Sequence, residues 1–141
     1  MPVRHAKARW EGDVKRGAGA VKLGSGAFEG RFAFTTRFES EPGTNPEELL
    51  AAAHAGCFAM ALSKILGEAG HPPERIEAQA QVHLDKQDSG FAITQIDLQT
   101  QASVPGISQE DFQRYAQQAK EGCLVSKVLR PPISLEAKLV E

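Results

Sequence analysis

Apolar and polar positions alternate with period two in several short stretches of the chain and recur with helical spacing in two longer ones. Arg4 to Trp10 and Ala18 to Leu23 read as strands, and Phe32, Phe34, Thr36 and Phe38 alternate as a third, with Gly24-Ser25-Gly26 turning between the second and third. Thr44, with Glu47 three residues on, reads as a helix cap; Pro46 stands in the first turn, and Glu47 and Glu48 bring negative charge to the positive end of the helix dipole. Gly70 and Pro72-Pro73 supply the stop, so a helix is predicted over 46–69, about 36 Å long at the standard rise. Ala51, Ala52, Ala53, Ala55, Ala59 and Ala61 fall between its larger residues. Such a helix, apolar nearly all round, is expected to be buried and closely approached by its neighbours.

Further along, Ile76, Ala78, Ala80, Val82 and Leu84 alternate, followed by Phe91 and Ile93 and, after a shift in phase, Ile96 and Leu98. These predict an antiparallel pair turning at Asp88-Ser89-Gly90. Ser108 with Asp111 opens a second helix whose core stripe is Phe112, Tyr115, Ala116 and Ala119, closed by Gly122. Cys123 begins another helical turn, Leu124 to Leu129, and Ile133, Leu135, Ala137 and Leu139 alternate as a last strand. Three strands, a helix, two strands, two helices and a strand make an α+β chain.

The 141 residues suit a single domain able to bury a core, and a net charge of −2 with both signs interspersed offers no basic stripe for phosphates. Nucleic acid is therefore not expected as a partner. Met1 to Trp10 is basic but lacks the apolar run of a secretory signal. His54, Ser63 and Lys64 interrupt the longest apolar stretch, Leu49 to Leu66, so a soluble, cytoplasmic protein without a membrane span is expected.

Only two cysteines occur, Cys57 and Cys123. In a reducing compartment such a pair is catalytic, metal-binding or simply buried more often than it is a structural disulfide. By itself, Cys57 in the middle of an alanine-rich helix reads as a core cysteine. Cys123 follows a glycine stop and starts a new turn, where free backbone donors would stabilise a thiolate. The four histidines, His5, His54, His71 and His83, show no recurrent ligand spacing with the cysteines, so no metal is expected.

Four segments narrow these options: Thr36-Arg37-Phe38-Glu39, Gly43-Thr44-Asn45-Pro46-Glu47-Glu48-Leu49, Ala52-Ala53-His54-Ala55-Gly56-Cys57-Phe58 and Gly122-Cys123-Leu124-Val125-Ser126. Together they closely resemble the family of osmotically inducible protein C and the organic hydroperoxide resistance proteins, nearly end to end from Trp10-Glu11-Gly12-Asp13. His54 between alanines, Leu84-Asp85-Lys86 and Gly90-Phe91-Ala92-Ile93-Thr94 resemble the OsmC branch. Members often carry proline directly after the second cysteine, where this chain has Leu124.

The resemblance implies antiparallel sheets packed on a long buried central helix in an intertwined homodimer. It also implies a thiol peroxidase needing no cofactor, with Cys57 as peroxidatic nucleophile, Cys123 as resolving thiol, and Arg37 with Glu47 as the polar pair serving the thiolate. A free thiol titrates near pH ~8.5, so a neighbouring cation such as Arg37 would favour the thiolate, and a carboxylate would hold the guanidinium fork. The substrate would be hydrogen peroxide or an organic hydroperoxide, and the reductant a dithiol such as a lipoyl group on a carrier protein. Two other readings use the same residues: a redox sensor or small-molecule carrier without turnover, and a Cys–His ester or thioester hydrolase pairing Cys57 with His54.

Glu47 and Cys57 lie ten residues apart on one predicted helix, which is about 15 Å of rise and nearly a quarter-turn out of register. An antiparallel copy of the helix would bring a second Glu47 close, so a homodimer sharing its sites is expected.

Overall fold

The computed structural model describes residues 1–140 and divides into two compact units, Met1–Leu49 and the remainder from Leu50. The first unit carries β1 (Ala6–Glu11), β2 (Ala18–Leu23) and β3 (Glu29–Phe32), paired antiparallel in that order. Gly19 faces Trp10 on one side and Phe32 on the other. Its missing side chain lets their rings close to 5.3 Å; a Cβ there would come within 2.2 Å of the Arg9 carbonyl and 2.8 Å of the Phe32 ring.

The third strand stops at Phe32, earlier than its alternation suggested, and Phe34–Phe38 is a short helix, α1. Thr36 makes the difference. Its hydroxyl accepts the Ala33 N–H at 2.8 Å and donates to the Thr44 carbonyl at 2.8 Å, tying the turn shut from a buried position. Phe34 and Phe38 satisfy a period of two but are also i,i+4 neighbours, and their rings meet at 4.9 Å across one helical turn.

The long helix α2 spans Pro46–Glu68, within a residue of the expected end, but its cap is Asn45 rather than Thr44. With Pro46 at the first helical position, the side chain directly before it receives the free N–H: Asn45 Oδ1 accepts from Glu48 at 2.7 Å. Thr44 instead donates its hydroxyl to the Glu48 carboxylate at 2.8 Å. At the other end, Gly70 (φ 86°) and His71 return their N–H groups to Gly67 and Leu66 at 3.1 and 2.8 Å, a Schellman closure.

In the second unit, β4 (Arg75–Gln87) and β5 (Gly90–Ser103) pair antiparallel. The phase shift in β5 is a bulge: His83 faces Gln95 and Leu84 faces Ile93, leaving Thr94 unpaired. The chain then passes through α3 (Gln109–Gly122) and α4 (Leu124–Val128) to β6 (Ile133–Val140), which joins β5 in parallel. The expected all-antiparallel pairing therefore fails at this last strand, because a crossover containing two helices returns the chain to the same end of the sheet. Ser108 caps α3, its hydroxyl accepting the Asp111 N–H at 3.1 Å. Phe112, Ala116 and Ala119 of α3 bury against Phe58, Leu62 and Leu66 of α2 and Leu98 and Ala102 of β5.

Helix α2 departs from expectation in its exposure. Phe58, Leu62 and Leu66 are sealed in the core, but Ala53, Gly56 and Met60 are exposed, and only 22% of its most apolar window is buried. By length and a mean hydropathy of 1.6, it is also apolar enough to cross a membrane, its polar interruptions notwithstanding. Within one chain, α2 covers only one of its apolar faces.

Candidate active site

Cys57 stands in the middle of α2, one position before the core residue Phe58, and is half-buried. Cys123 is the junction of α3 and α4. Its N–H closes α3 on the Ala119 carbonyl at 2.9 Å, its carbonyl opens α4 by accepting from Lys127 at 3.2 Å, and its side chain is 1% exposed. Leu124 starts α4 without the pre-set turn of a proline.

The two sulfurs hydrogen-bond to each other, with both side chains in the free thiol form. Burial raises the Cys57 thiol above its ordinary value, and the hydrogen bond to Cys123 raises it further, against the N–H groups of Val125 and Leu124. Burial also pushes Cys123 upward, but there the opposing contacts win. The Cys57 hydrogen bond, the Ser126 N–H and hydroxyl and the Val125 N–H lower it overall. Loss of a proton from the pair is thus easier at Cys123 than at Cys57. Access runs the other way, since a molecule from solvent meets the half-buried Cys57 and not the sealed Cys123.

His54, one turn before Cys57, is fully buried. Its Nε2 hydrogen-bonds to the Ser126 hydroxyl at 2.7 Å, and its Nδ1 has no partner. Burial lowers its pKa, so the imidazole is neutral. The ring nitrogen that makes a hydrogen bond is thus committed to Ser126 and not to the Cys57 thiol. Ser126 was given no role on sequence grounds. Its signal was the hydroxyl three positions after Cys123 at the start of a helix, the spacing at which a side chain reaches back to the capping residue.

In the first unit, Arg37 at the end of α1 reaches Glu47 in the first turn of α2. The guanidinium forks onto the carboxylate, Nε to Oε1 at 2.9 Å and the second nitrogen to Oε2 at 3.1 Å. Glu47 is 7% exposed and the Arg37 side chain 40%, so the carboxylate is fixed and the guanidinium keeps an open side. Arg37 also lines an apolar pocket of about 230 Å³ with Trp10, Val14, Phe32, Phe34 and Phe38. Among the described residues, no group of three or more His, Cys, Asp or Glu side chains could hold a metal ion.

The family model of OsmC-like proteins matches residues 38–138. The peroxiredoxin OsmC of Escherichia coli (strain K12) is 53% identical over 137 residues, which is 96% of each chain. The organic hydroperoxide resistance protein OhrB of Bacillus subtilis (strain 168) is 31% identical over 102 residues, 72% of this chain and 73% of that one. The crystal structure of OhrB superposes with a TM-score of 0.69 at 26% identity, covering 96% of this chain and 98% of the other. An OsmC structure from Legionella pneumophila gives a TM-score of 0.71 at 21% identity over the whole of both chains. On the length and identity of these matches, the chain belongs to the OsmC family.

Proposed function

We propose that this OsmC-family chain is a thiol-dependent peroxidase in which both units work as one domain, reducing hydroperoxides at Cys57 and resolving the product with Cys123. The observation that carries the reading is the pairing of a solvent-reachable Cys57 with a sealed, anion-stabilised Cys123 in direct hydrogen-bond contact.

The Cys57 thiolate attacks one peroxide oxygen; the O–O bond breaks, the leaving oxygen takes a proton as alcohol or water, and Cys57 becomes a sulfenic acid. Cys123 sulfur then attacks Cys57 sulfur. The S–O bond breaks, hydroxide leaves and is protonated to water, and a disulfide joins the two residues. The two thiol protons end in the alcohol and the water, and the peroxide has gained two electrons. An external dithiol reopens the bond through a mixed disulfide and leaves as its own disulfide. A lipoyl group on a carrier protein has the required chemistry.

Because burial and the hydrogen bond to Cys123 disfavour the Cys57 thiolate, attack needs a further cation, and that is the role proposed for Arg37, held in orientation by the Glu47 carboxylate. The open side of the guanidinium can also donate to peroxide oxygens, and the apolar pocket it lines suits the organic part of a hydroperoxide. The unmatched face of α2 supports a homodimer whose sites draw residues from both chains.

Peroxide consumption with dihydrolipoamide, against a monothiol control, tests the reading. Turnover with the dithiol, and loss of two hydrogens by intact mass after one equivalent of peroxide, are expected. Absence of turnover with every dithiol tried would favour a sensor or carrier. The hydrolase alternative has no structural support, because the His54 hydrogen bond goes to Ser126.

A further inference from the structure

Four side chains form one unbroken line in the second unit: His54, Ser126, Cys123 and Cys57. The cysteine chemistry proposed above uses only the last two. His54 and Ser126 are 72 positions apart in sequence, yet α2 and α4 bring them to 2.7 Å with the imidazole fully buried.

The direction of the hydrogen bonds follows from the one nitrogen left over. If Nδ1 carried the ring proton, a buried N–H would have no acceptor; if Nε2 carries it, only a lone pair on Nδ1 is left unmatched. Buried donors without acceptors are the rarer and costlier case. Nε2–H therefore donates to the Ser126 oxygen, and the Ser126 hydrogen is free to point at the Cys123 sulfur, which it contacts.

We propose that His54 and Ser126 are positioning residues that hold a hydroxyl donor on the Cys123 sulfur and so ready the resolving cysteine to condense with the Cys57 sulfenic acid. His54 acts through Ser126, and Ser126 acts on the attacking sulfur. The line explains the burial of a polar imidazole beside an apolar core. It also gives Cys123 a side-chain hydroxyl donor that Cys57 lacks, so the two sulfurs of one hydrogen-bonded pair differ in how readily each gives up its proton. The titratable groups facing Cys123 are Cys57 and, through Ser126, His54, both on α2; the remaining contacts are the backbone N–H groups of Val125 and Ser126.

The inference rests on the proposed roles of Cys57 and Cys123, but one arm of its test does not require peroxide chemistry. In a Cys57→Ser background only Cys123 remains to titrate, and thiolate ultraviolet absorbance follows it. Adding Ser126→Ala should move its midpoint upward by about one pH unit, a tenfold loss of thiolate at a given pH, as expected for removing one hydrogen bond to a charged group. Ser126→Thr, which keeps the hydroxyl, should restore the midpoint. His54→Gln, whose amide nitrogen reaches about as far as Nε2, should hold it, whereas His54→Leu should shift it in the direction of Ser126→Ala.

In single-turnover experiments with both cysteines present, Ser126→Ala should slow disulfide formation about tenfold more than sulfenic acid formation. An unmoved Cys123 midpoint, or equal slowing of the two steps, overturns the inference. Should peroxide produce no Cys57–Cys123 disulfide even in the unaltered chain, the broader functional reading fails instead, and the titration still judges His54 and Ser126.

Discussion

Cys57 and Cys123 share a hydrogen bond between the middle of α2 and the junction of α3 and α4, one sulfur half-buried and the other sealed. That asymmetry leaves Cys57 as the sulfur a solvent molecule meets first and Cys123 as the sulfur behind it. Cys57→Ser should abolish peroxide reduction. Cys123→Ser should complete a first turnover and then, with no thiol to condense, advance to a sulfinic acid that intact mass registers as two added oxygens. Full multiple-turnover activity of Cys123→Ser with a dithiol would remove the intramolecular disulfide from the cycle.

The Arg37–Glu47 fork leads to a second expectation. Arg37→Ala should raise the pH at which Cys57 forms its thiolate and reduce kcat/KM for peroxide by about a hundredfold, the scale of losing one pre-oriented donor to a developing charge. Arg37→Lys keeps the charge without the planar fork that meets both Glu47 oxygens, so it should recover little. An unchanged thiolate titration in Arg37→Ala would dissociate this residue from Cys57.

Asp97 sits on the outer side of the second sheet, where it accepts from the Ser134 hydroxyl, from His83 Nε2 at 2.6 Å and from the Gln95 amide at 2.6 Å. These hold its carboxyl at about 2, from an ordinary 3.8. A carboxylate with a depressed folded-state pKa stabilises the fold above its unfolded value and loses that contribution as pH falls through the folded one. Thermal midpoints of the unaltered chain and of Asp97→Asn should therefore differ most above pH ~4 and converge toward pH ~2. A constant gap across that range would show that the cluster does not couple to folding.

His54 shifts the same balance nearer neutrality. Burial depresses its pKa from 6.5, so below that value the unfolded chain binds a proton that the folded chain resists, and stability declines as pH falls. His54→Leu or His54→Gln should remove this slope from a plot of thermal midpoint against pH. If both variants keep the slope of the unaltered chain near pH ~6, some other group is responsible.

Much of this architecture was legible in periodicity. The β2 bounds, the Ser108 cap and even the bulge at Thr94, visible as a change of phase between Ile93 and Ile96, follow from local rules. Phe34–Phe38 escaped because 34, 36 and 38 fit a strand while 34 and 38 fit a helix, and the Thr36–Thr44 contact that decides between them is tertiary. Parallel pairing of β6 was hidden for the same reason: alternation reports which face of a strand is buried, not which way it runs. Motif resemblance singled out Cys57, Cys123, Arg37 and Glu47 as candidates, of which the structure pairs Cys57 with Cys123 and Arg37 with Glu47. The Ser126 contact to His54 depends on how α4 meets α2, which no local pattern encodes.

The exposed side of α2 carries the last prediction. Ala53, Gly56 and Met60 follow each other at three- and four-residue steps along one face; Met60 is 76% exposed, and a Cβ on Gly56 would meet open space. A stripe of small residues ending in an unmatched methionine suits a second copy of the same helix, lying antiparallel across a two-fold axis. On one straight helix, Glu47 and Cys57 are separated by about 15 Å of rise, whereas antiparallel pairing carries the partner's first turn toward the middle of α2. Met60→Glu alters a side chain that supports nothing within its own chain, so it should leave the fold intact, yet it places charge in the seam. Light scattering should show a monomer, with peroxidase activity falling alongside the dimer fraction. Mixing Cys57→Ser with Glu47→Ala chains under conditions of subunit exchange should restore activity, because some hybrid sites would regain both residues. A fully active monomer of the unaltered chain at micromolar concentration would overturn shared sites outright.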